Sequence, residues 1–148
     1  MSAAMNARAL AEAERWLGTP YRHQGTARGA GCDCLGLIRG VWRALYTTEP
    51  EVVPAYCRDW AERDAQEQLW QAALRHLVAV DPCAALQPGQ VVLFRMRQGA
   101  VAKHLGLLRG ADRFIHAYSG HGVVDSALTA PWARRIVARF DFPDSTTP

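Results

Sequence analysis

The fold is decided by one stretch in the first third of the chain, Gly31-Cys32-Asp33-Cys34-Leu35-Gly36-Leu37-Ile38-Arg39-Gly40. The Asp33 carboxylate can accept hydrogen bonds from the free amides of a first helical turn, which predicts a helix from Cys34 to about Tyr46. The apolar residues of this helix recur at helical spacing and form one stripe, which we expect to face a sheet. The stripe consists of Cys34, Leu37, Ile38, Val41, Trp42 and Leu45.

The first residue of the predicted helix, Cys34, is a candidate nucleophile. The positive end of the peptide dipoles stabilises a thiolate at such a position, and the pKa of comparable cysteines falls from about 8.5 to between roughly 3.5 and 7.5. The neighbouring charge of Asp33 acts in the opposite direction. The alternative is a small buried thiol that only fills core space. A nucleophilic Cys34 also needs a base.

Two of the five histidines are related by their positions in the sequence. His104 and His116 fall in consecutive predicted strands, and in a hairpin centred on Gly110 they lie directly opposite each other. Paired residues of this kind share a face, with Cβ atoms about 4.5–5.5 Å apart. His116 could then orient His104, the candidate base, while Gly106 leaves space nearby. Two half-exposed histidines without a joint role are the alternative.

The remaining histidines differ in their predicted surroundings. His23 lies in the loop before Cys34 and is a candidate substrate contact. His76 lies in a strongly polar helix and His121 lies in a turn, so we expect both at the surface.

The order of the elements predicts an α+β fold, with N-terminal helices packed on a mostly antiparallel sheet. A loop is predicted over 21–31 and an extended segment over 47–60. Helices are predicted over 3–17 and 60–79, in addition to the one that begins at Cys34. Strands are predicted over 91–94, 103–109, 113–118, 122–126 and 134–142.

Length and composition predict one domain over residues 1–148, with a core over about 10–140 and a flexible tail over 144–148. Hydrophobic residues make up 49% and charged residues 21%, which is typical of a globular protein. No apolar run reaches the length of a membrane span, so no membrane insertion is expected. The N-terminus lacks the pattern of a signal peptide, and we expect synthesis in the cytoplasm.

Charge and cysteine spacing argue against two further classes of site. All but one of the 17 basic residues are arginine, and they are dispersed, whereas a nucleic-acid groove needs a contiguous basic face. The spacing of Cys32 and Cys34 is too tight for a metal knuckle, and no second close pair exists. In the cytoplasm the thiols are expected to stay reduced. No role is predicted for Cys32, Cys57 or Cys83.

Four motifs, in order over about residues 10–140, resemble those of the NlpC/P60 cysteine peptidases. The nucleophile motif is matched by Gly18-Thr-Pro-Tyr21-Arg-His-Gln-Gly25 followed by Gly31-Cys-Asp-Cys34-Leu-Gly-Leu37. The strand that precedes the family's histidine is matched by Pro88-Gly-Gln-Val-Val-Leu-Phe94. The base and third-residue strands are matched by Lys103-His-Leu-Gly-Leu-Leu-Arg-Gly110 and by Phe114-Ile-His-Ala117.

The chain departs from the family pattern at three positions. Leu35 replaces the usual serine, Gln24 the first glycine of a common pair, and Gln90 the usual aspartate. None of these departures removes the cysteine or the two histidines, so they affect the details of the substrate subsites.

The resemblance implies a papain-like α+β fold and hydrolysis of γ-D-glutamyl–diamino acid bonds in peptidoglycan stem peptides. It implies that Cys34 is the nucleophile, His104 the base and then the acid, and His116 the orienting residue. Tyr21 and Asp33 would line the substrate site, where Asp33 could receive a peptide amine. No metal or cofactor is required. The first helical amides have no partner within a helix, so the amide of Cys34 is a candidate oxyanion donor.

The residue sequence of the nucleophile motif is most similar to that of the phage-type branch, which includes tail-associated peptidases of phages and gene transfer agents. This resemblance implies a peptidase carried on a particle tail, in contact with tail hub or tail-tip proteins. Residues 47–60 are a candidate docking segment, or they pack against the chain's own core. Two alternatives stay open: a tail subunit without catalysis, and an amidase or acyltransferase that uses the same cysteine and histidine.

Overall fold

The computed structural model describes residues 2–51 and 67–144, and their arrangement confirms the predicted α+β class. The helices are α1 (Ser2–Arg15), α2 (Cys34–Tyr46), α3 (Gln68–His76) and α4 (Ala130–Ala133). The strands are β1 (Thr26–Ala27), β2 (Gly31–Cys32), β3 (Val78–Ala79), β4 (Val91–Phe94), β5 (His104–Leu108), β6 (Arg113–Tyr118), β7 (Gly122–Ala127) and β8 (Ile136–Asp141).

One antiparallel sheet organises the described residues. Its six strands follow the order β3-β8-β4-β5-β6-β7, and each neighbouring pair is antiparallel. A separate two-stranded hairpin, β1–β2, lies just before α2. Strands β5 and β6, which carry the two candidate histidines, therefore lie side by side inside the sheet.

The central strand β4 is buried on both faces of the sheet, which explains its uninterrupted apolar sequence. Val91 and Leu93 belong to the larger core, beneath α1 and α2. Val92 and Phe94 belong to a smaller cluster on the opposite face, which Trp132 of α4 helps to cover. The sheet thus has a helix side and a Trp132 side, and its candidate site residues divide between them.

Several predicted boundaries are corrected by tertiary pairing. The helix predicted to reach residue 79 ends at His76, because Val78 and Ala79 pair with β8. The loop predicted over 21–31 contains strand β1 and the first residue of β2. The short helix α4, not predicted, precedes β8.

Other predictions are corrected or lie outside the described residues. Helix α1 ends at Arg15, and the turn that follows leaves the side chain of Leu17 exposed. Cys57, most of the predicted segment 47–60, the start of the predicted helix 60–79 and residues 145–148 lie outside the described residues. Within residues 2–51 and 67–144, no helix has the length and apolar character needed to cross a membrane.

A buried arginine holds the loop that leads into β4. Arg139 on β8 is 5% exposed, and its guanidinium donates to the side-chain oxygen of Gln90, 2.8 Å away. The Gln90 amide in turn donates to Asp141, at 3.2 Å. Gln90, one of the three departures from the family pattern, thus links two β8 side chains. Arg139 also donates to four main-chain oxygens of the loop, those of Asp81, Pro82, Ala84 and Ala85.

Replacing Arg139 with methionine is expected to lower the free energy of unfolding by about 3 kcal/mol, because the buried Gln90 side chain and four main-chain oxygens of the loop lose their donor. Urea unfolding followed by circular dichroism would measure the change. The exposed Arg134 provides the control, since Arg134→Met should shift the value by no more than about 0.5 kcal/mol. Equal effects of the two substitutions would show that the contacts of Arg139 with Gln90 and the loop, the Arg139 clamp, do not stabilise the fold.

Candidate active site

The N-terminus of α2 is built around the buried carboxylate of Asp33, which is 3% exposed. One oxygen, Oδ1, accepts from the amide of Gly36 at 2.8 Å, and the other, Oδ2, accepts from the amide of Gln24 at 2.7 Å. The predicted helix cap is therefore confirmed. The same carboxylate also ties the preceding loop to the helix and fixes the direction in which the first turn leaves it.

The loop before the cysteine lies directly on this first turn. A Cβ atom placed on Gly36 would lie 1.7 Å from the carbonyl oxygen of Gly25, so no other residue fits without a backbone shift. The Thr26 hydroxyl donates to the Gly36 carbonyl at 2.7 Å. Gln24 has a φ of +64°, in the left-handed region that favours glycine, and here it replaces the family's glycine. Backbone contacts therefore set the position of Cys34.

The sulfur of Cys34 lies against the start of β5. It donates to the carbonyl oxygen of Lys103 at 3.7 Å, and the amide of Leu105 also interacts with it. These two residues flank His104. Burial raises the pKa of Cys34 to about 12, with a contribution from the charge of Asp33, while the amides of Leu105, Leu35 and Cys34 lower it. Burial thus outweighs the helix terminus, and the resting thiol is protonated.

The register of β5 and β6 differs from the predicted one by two residues. Leu107 pairs with Ile115 and Leu108 with Phe114, so His104 and His116 are diagonal rather than direct neighbours. A shift of two residues keeps every side chain on its face, and the two rings still meet. The His104 Nε2 atom lies 2.7 Å from the His116 Nδ1 atom.

Both histidines are buried and continue into a third side chain. His104 is 8% exposed and His116 is 1% exposed. Burial lowers the pKa of His104 to about 3, with a contribution from His116. Burial also lowers the pKa of His116 to about 4, with a contribution from His121. The His116 Nε2 atom lies 2.9 Å from the hydroxyl of Ser126. Both rings are therefore neutral near pH 7.

Aromatic rings enclose the two histidines on the Trp132 side of the sheet. The Trp132 ring centre lies 5.8 Å from that of His104 and 5.2 Å from that of His116. The space predicted beside Gly106 is filled, because an added Cβ atom would lie 3.0 Å from the Phe114 ring and 3.4 Å from the Phe94 ring. Glycine at 106 makes room for these rings, which exclude water from the imidazoles.

The candidate nucleophile and base approach one end of β5 from opposite faces of the sheet. Cys34 packs with the helix-side core. His104 pairs directly with Phe94 and shares its face, on the Trp132 side. His104 is the first residue of β5, and the sulfur contacts the backbone on both sides of it. A half-buried thiol and a neutral imidazole, the groups that a cysteine nucleophile and its general base require, therefore lie at the same strand end.

The other predicted site residues lie in the loop before Cys34. Tyr21 is half-buried against the helix-side core and forms a parallel bridge with Cys32. His23 is half-buried, and its Nε2 atom lies 3.4 Å from the side-chain amide nitrogen of Gln24. Both oxygens of Asp33 accept backbone amides, so a substrate amine would share an oxygen that is already bonded. Substrate contact by Tyr21, His23 and Asp33 stays a prediction.

Two residues beside the histidines were not predicted. Trp132 belongs to a helix too short to give a periodic pattern. Ser126 could have been found from hairpin geometry, because the turn at 119–121 places residues 116 and 124 opposite each other and 126 diagonally from 116.

Comparison with known proteins supports the match between these residues and one family. A profile of the NlpC/P60 family matches residues 18–140, a range that contains the cysteine, both histidines and the sheet strands β4 to β7. The chain belongs to the NlpC/P60 family. This NlpC/P60 chain is 31% identical over 135 residues to a probable endopeptidase NlpC homolog of Haemophilus influenzae, covering 90% of this chain and 61% of that protein.

Two further relatives have more specific names. The murein DD-endopeptidase MepS/murein LD-carboxypeptidase of Escherichia coli is 27% identical over 131 residues, with 84% of this chain and 59% of that protein covered. The gamma-DL-glutamyl hydrolase of Bacillus subtilis is 30% identical over 133 residues, with 88% and 28% covered. The NlpC/P60 chain thus spans about three-fifths or less of the length of these relatives.

Solved structures share the NlpC/P60 fold. An NlpC/P60 family protein from Bacillus cereus superposes with a TM-score of 0.65 at 21% identity, over 93% of this chain and 40% of that one. The NlpC/P60 domain of the peptidoglycan hydrolase SagA gives 0.61 at 20% identity, over 93% and 98%. The described architecture is therefore that of an NlpC/P60 domain.

The buried site makes the stability of this NlpC/P60 domain depend on pH in both directions. Folding lowers the pKa values of His104 and His116 below their ordinary 6.5, so protons favour the unfolded chain as the pH falls below 6.5. Folding raises the pKa values of Cys32 and Cys34 above 9.0, so stability falls again as the pH rises past 9.0. Maximum stability is expected between these limits.

Urea unfolding at several pH values would measure this dependence. From about pH 8 to about pH 5, each buried histidine is expected to remove on the order of 2 kcal/mol from the free energy of unfolding. His104→Gln should reduce that acid loss relative to the wild type. An acid loss equal to that of the wild type would contradict the burial argument.

Proposed function

We propose that this chain is a cysteine peptidase that hydrolyses peptidoglycan stem peptides between the γ-carboxyl of D-glutamate and the diamino acid. The observation that carries the proposal is the arrangement at the start of β5. The Cys34 sulfur contacts the backbone on both sides of His104, and the His104 ring is hydrogen-bonded to His116 at 2.7 Å. Residues 10–140 form the catalytic core in this proposal.

The names of the relatives support this substrate class. One relative is named a gamma-DL-glutamyl hydrolase, one a murein endopeptidase, and one structural neighbour comes from a peptidoglycan hydrolase. The motif resemblance specifies the same bond. The proposed bond concerns the catalytic domain, which spans about three-fifths or less of the length of these relatives.

In the proposed reaction His104 acts first as base and then as acid. Its Nε2 atom is engaged with His116, so in the proposed reaction Nδ1 is the nitrogen that takes the proton from the Cys34 thiol. The sulfur bonds to the carbonyl carbon, and the resulting oxyanion accepts from the Cys34 amide. The carbon–nitrogen bond then breaks, and the leaving amine takes the proton from His104.

The second half of the proposed reaction releases the acyl group. His104 removes a proton from water, whose oxygen attacks the thioester carbon. The carbon–sulfur bond breaks, and the sulfur recovers the proton from His104. The free enzyme returns with a neutral thiol and a neutral imidazole, the protonation states that burial favours at rest.

Digestion of purified stem peptides, with the products identified by mass, tests the proposal. Products split between D-glutamate and the diamino acid are the expected result. Release of the whole peptide from a sugar–peptide substrate would instead support an amidase, and transfer to an added amine would support an acyltransferase. A folded protein that cleaves none of these substrates would contradict the proposal and favour a structural subunit.

The proposed site of action is the tip of a phage-like tail. The motif Gly18-Thr-Pro-Tyr-Arg-His-Gln24 and the stretch Gly31–Gly40 resemble the tail-associated branch, which supports carriage on a particle and contact with tail hub proteins. Mass spectrometry of purified particles from the producing cell provides the test. The proposal expects the chain in the particle fraction, and particles that lack it would contradict the location.

A further inference from the structure

The hydrogen-bonded series at the site does not end with the two histidines. From His104 it passes to His116 at 2.7 Å and from His116 to the Ser126 hydroxyl at 2.9 Å. Ser126 is placed by the register of β6 and β7, in which Val124 lies opposite His116 and Ser126 opposite Phe114. Ser126 is therefore the diagonal neighbour of His116 on the same face of the sheet.

Two proton arrangements fit these atoms, and they run in opposite directions. In the first, the His104 Nε2–H donates to His116, and the His116 Nε2–H donates to Ser126. In the second, the Ser126 hydroxyl donates to His116, and the His116 Nδ1–H donates to His104. A neutral imidazole has one donor and one acceptor nitrogen, so each arrangement fixes both rings. Only the first leaves the Nδ1 lone pair of His104 available to take a proton.

We propose that Ser126 is a positioning residue, which accepts the His116 Nε2–H and thereby holds both imidazoles in the tautomers that make His104 a base at Nδ1. This inference rests on the proposed function and deepens it, because it adds a fourth member to the site. Ser126 acts through His116 and does not contact the reacting atoms.

The aromatic rings packed around His116 hold its imidazole in place. The two proton arrangements therefore differ only in where the protons lie. The ring centre of Phe114 lies 4.3 Å away on one side, and that of Tyr118 lies 5.2 Å away and is nearly parallel to the imidazole. Trp132 contacts the same ring at 5.2 Å in an edge arrangement. A ring enclosed in this way, 1% exposed, has little access to water that could replace the Ser126 hydroxyl.

The loss of Ser126 would leave the donor of a buried imidazole without its acceptor, which is costly. The first proton arrangement then loses its advantage over the second. We expect Ser126→Ala to lower kcat about fivefold to tenfold, with KM changed less than about twofold. Ser126→Thr keeps the hydroxyl and should restore most of kcat. Ser119→Ala, which removes an exposed hydroxyl from the neighbouring turn, serves as the matched control.

A spectroscopic measurement separates positioning from a merely structural role. Nitrogen NMR of the free protein with isotope-labelled histidine distinguishes the protonated nitrogen of each neutral ring. Wild type and Ser126→Thr are expected to carry the His104 and His116 protons on Nε2. Thermal unfolding first shows whether Ser126→Ala is folded. In the folded variant, the NMR signal from Nδ1–H tautomers is expected to grow.

Each result bears on the inference. A folded Ser126→Ala with wild-type kcat and wild-type tautomers would overturn it, as would Nδ1–H tautomers in the wild type. If Ser126→Ala does not fold, the tautomers of wild type and Ser126→Thr decide. The NMR measurement needs no substrate, so a wild type that cleaves no stem peptide would refute the proposed function while the tautomers still decide the role of Ser126.

Discussion

Cys34→Ala is expected to abolish the release of stem-peptide fragments, with a loss of about 10⁴-fold or more in kcat/KM. The reason is chemical, because the variant has no sulfur to bond to the carbonyl carbon and no acyl-enzyme forms. Alanine also removes little volume from a half-buried position, so the fold should persist. The measurement is peptide hydrolysis by purified variants, with products quantified by mass spectrometry and folding checked by circular dichroism.

The exposed Cys83 offers a matched control, because Cys83→Ala removes a thiol from the surface. This variant should hydrolyse the peptide at the wild-type rate. Residual hydrolysis by Cys34→Ala within about tenfold of wild type would contradict the assignment of the nucleophile. Loss of activity in both variants would point to a general effect of thiol removal rather than to the chemistry of Cys34.

His104→Gln is expected to lower kcat about 10³-fold, the range typical of a lost general base. Glutamine can still hydrogen-bond to His116, so the substitution removes the ability to take a proton while keeping a polar partner. The lost step is the deprotonation of Cys34. Burial raises the pKa of this thiol to about 12. Raising the pH from about 7 to about 9, below the range in which the fold loses stability, should partly rescue the variant, because a larger fraction of the thiol then ionises without a base.

The half-buried His76 on α3 provides the control, since its ring bonds to Glu51 and not to His104 or His116. His76→Gln should leave kcat unchanged. A His104→Gln variant with kcat within about tenfold of wild type would show that another group takes the proton. Loss of activity without any rescue at high pH would indicate a structural rather than a chemical defect.

The local features of the site could be predicted because they depend on few residues. Asp33 caps α2 as expected, since a carboxylate one residue before the helix lies next to first-turn amides that have no partner within the helix. The shared face of His104 and His116 follows from an even separation, which survives an error of two in the register. The error itself arose because the turn at 109–112 places its centre one residue later than assumed.

The quantities that depend on burial could not be predicted from the sequence. The pKa of Cys34 is set by enclosure against β5, and a helix position cannot reveal how much water that strand excludes. Trp132 reaches the histidines from a single helical turn that has no periodicity to detect. The end of α3 was missed for a similar reason, because the pairing of Val78 with β8 overrides local helical preference.

The clamp formed by Arg139 has a consequence for how the loop at 81–85 can change. The guanidinium donates hydrogen bonds to main-chain oxygens, which every amino acid carries. The identity of most loop side chains therefore does not affect these bonds. Natural sequence drift at these positions should therefore leave β4 and the neighbouring β5 in place. The same freedom makes the loop a suitable graft point, where foreign side chains can be displayed as long as the backbone course and Arg139 are retained.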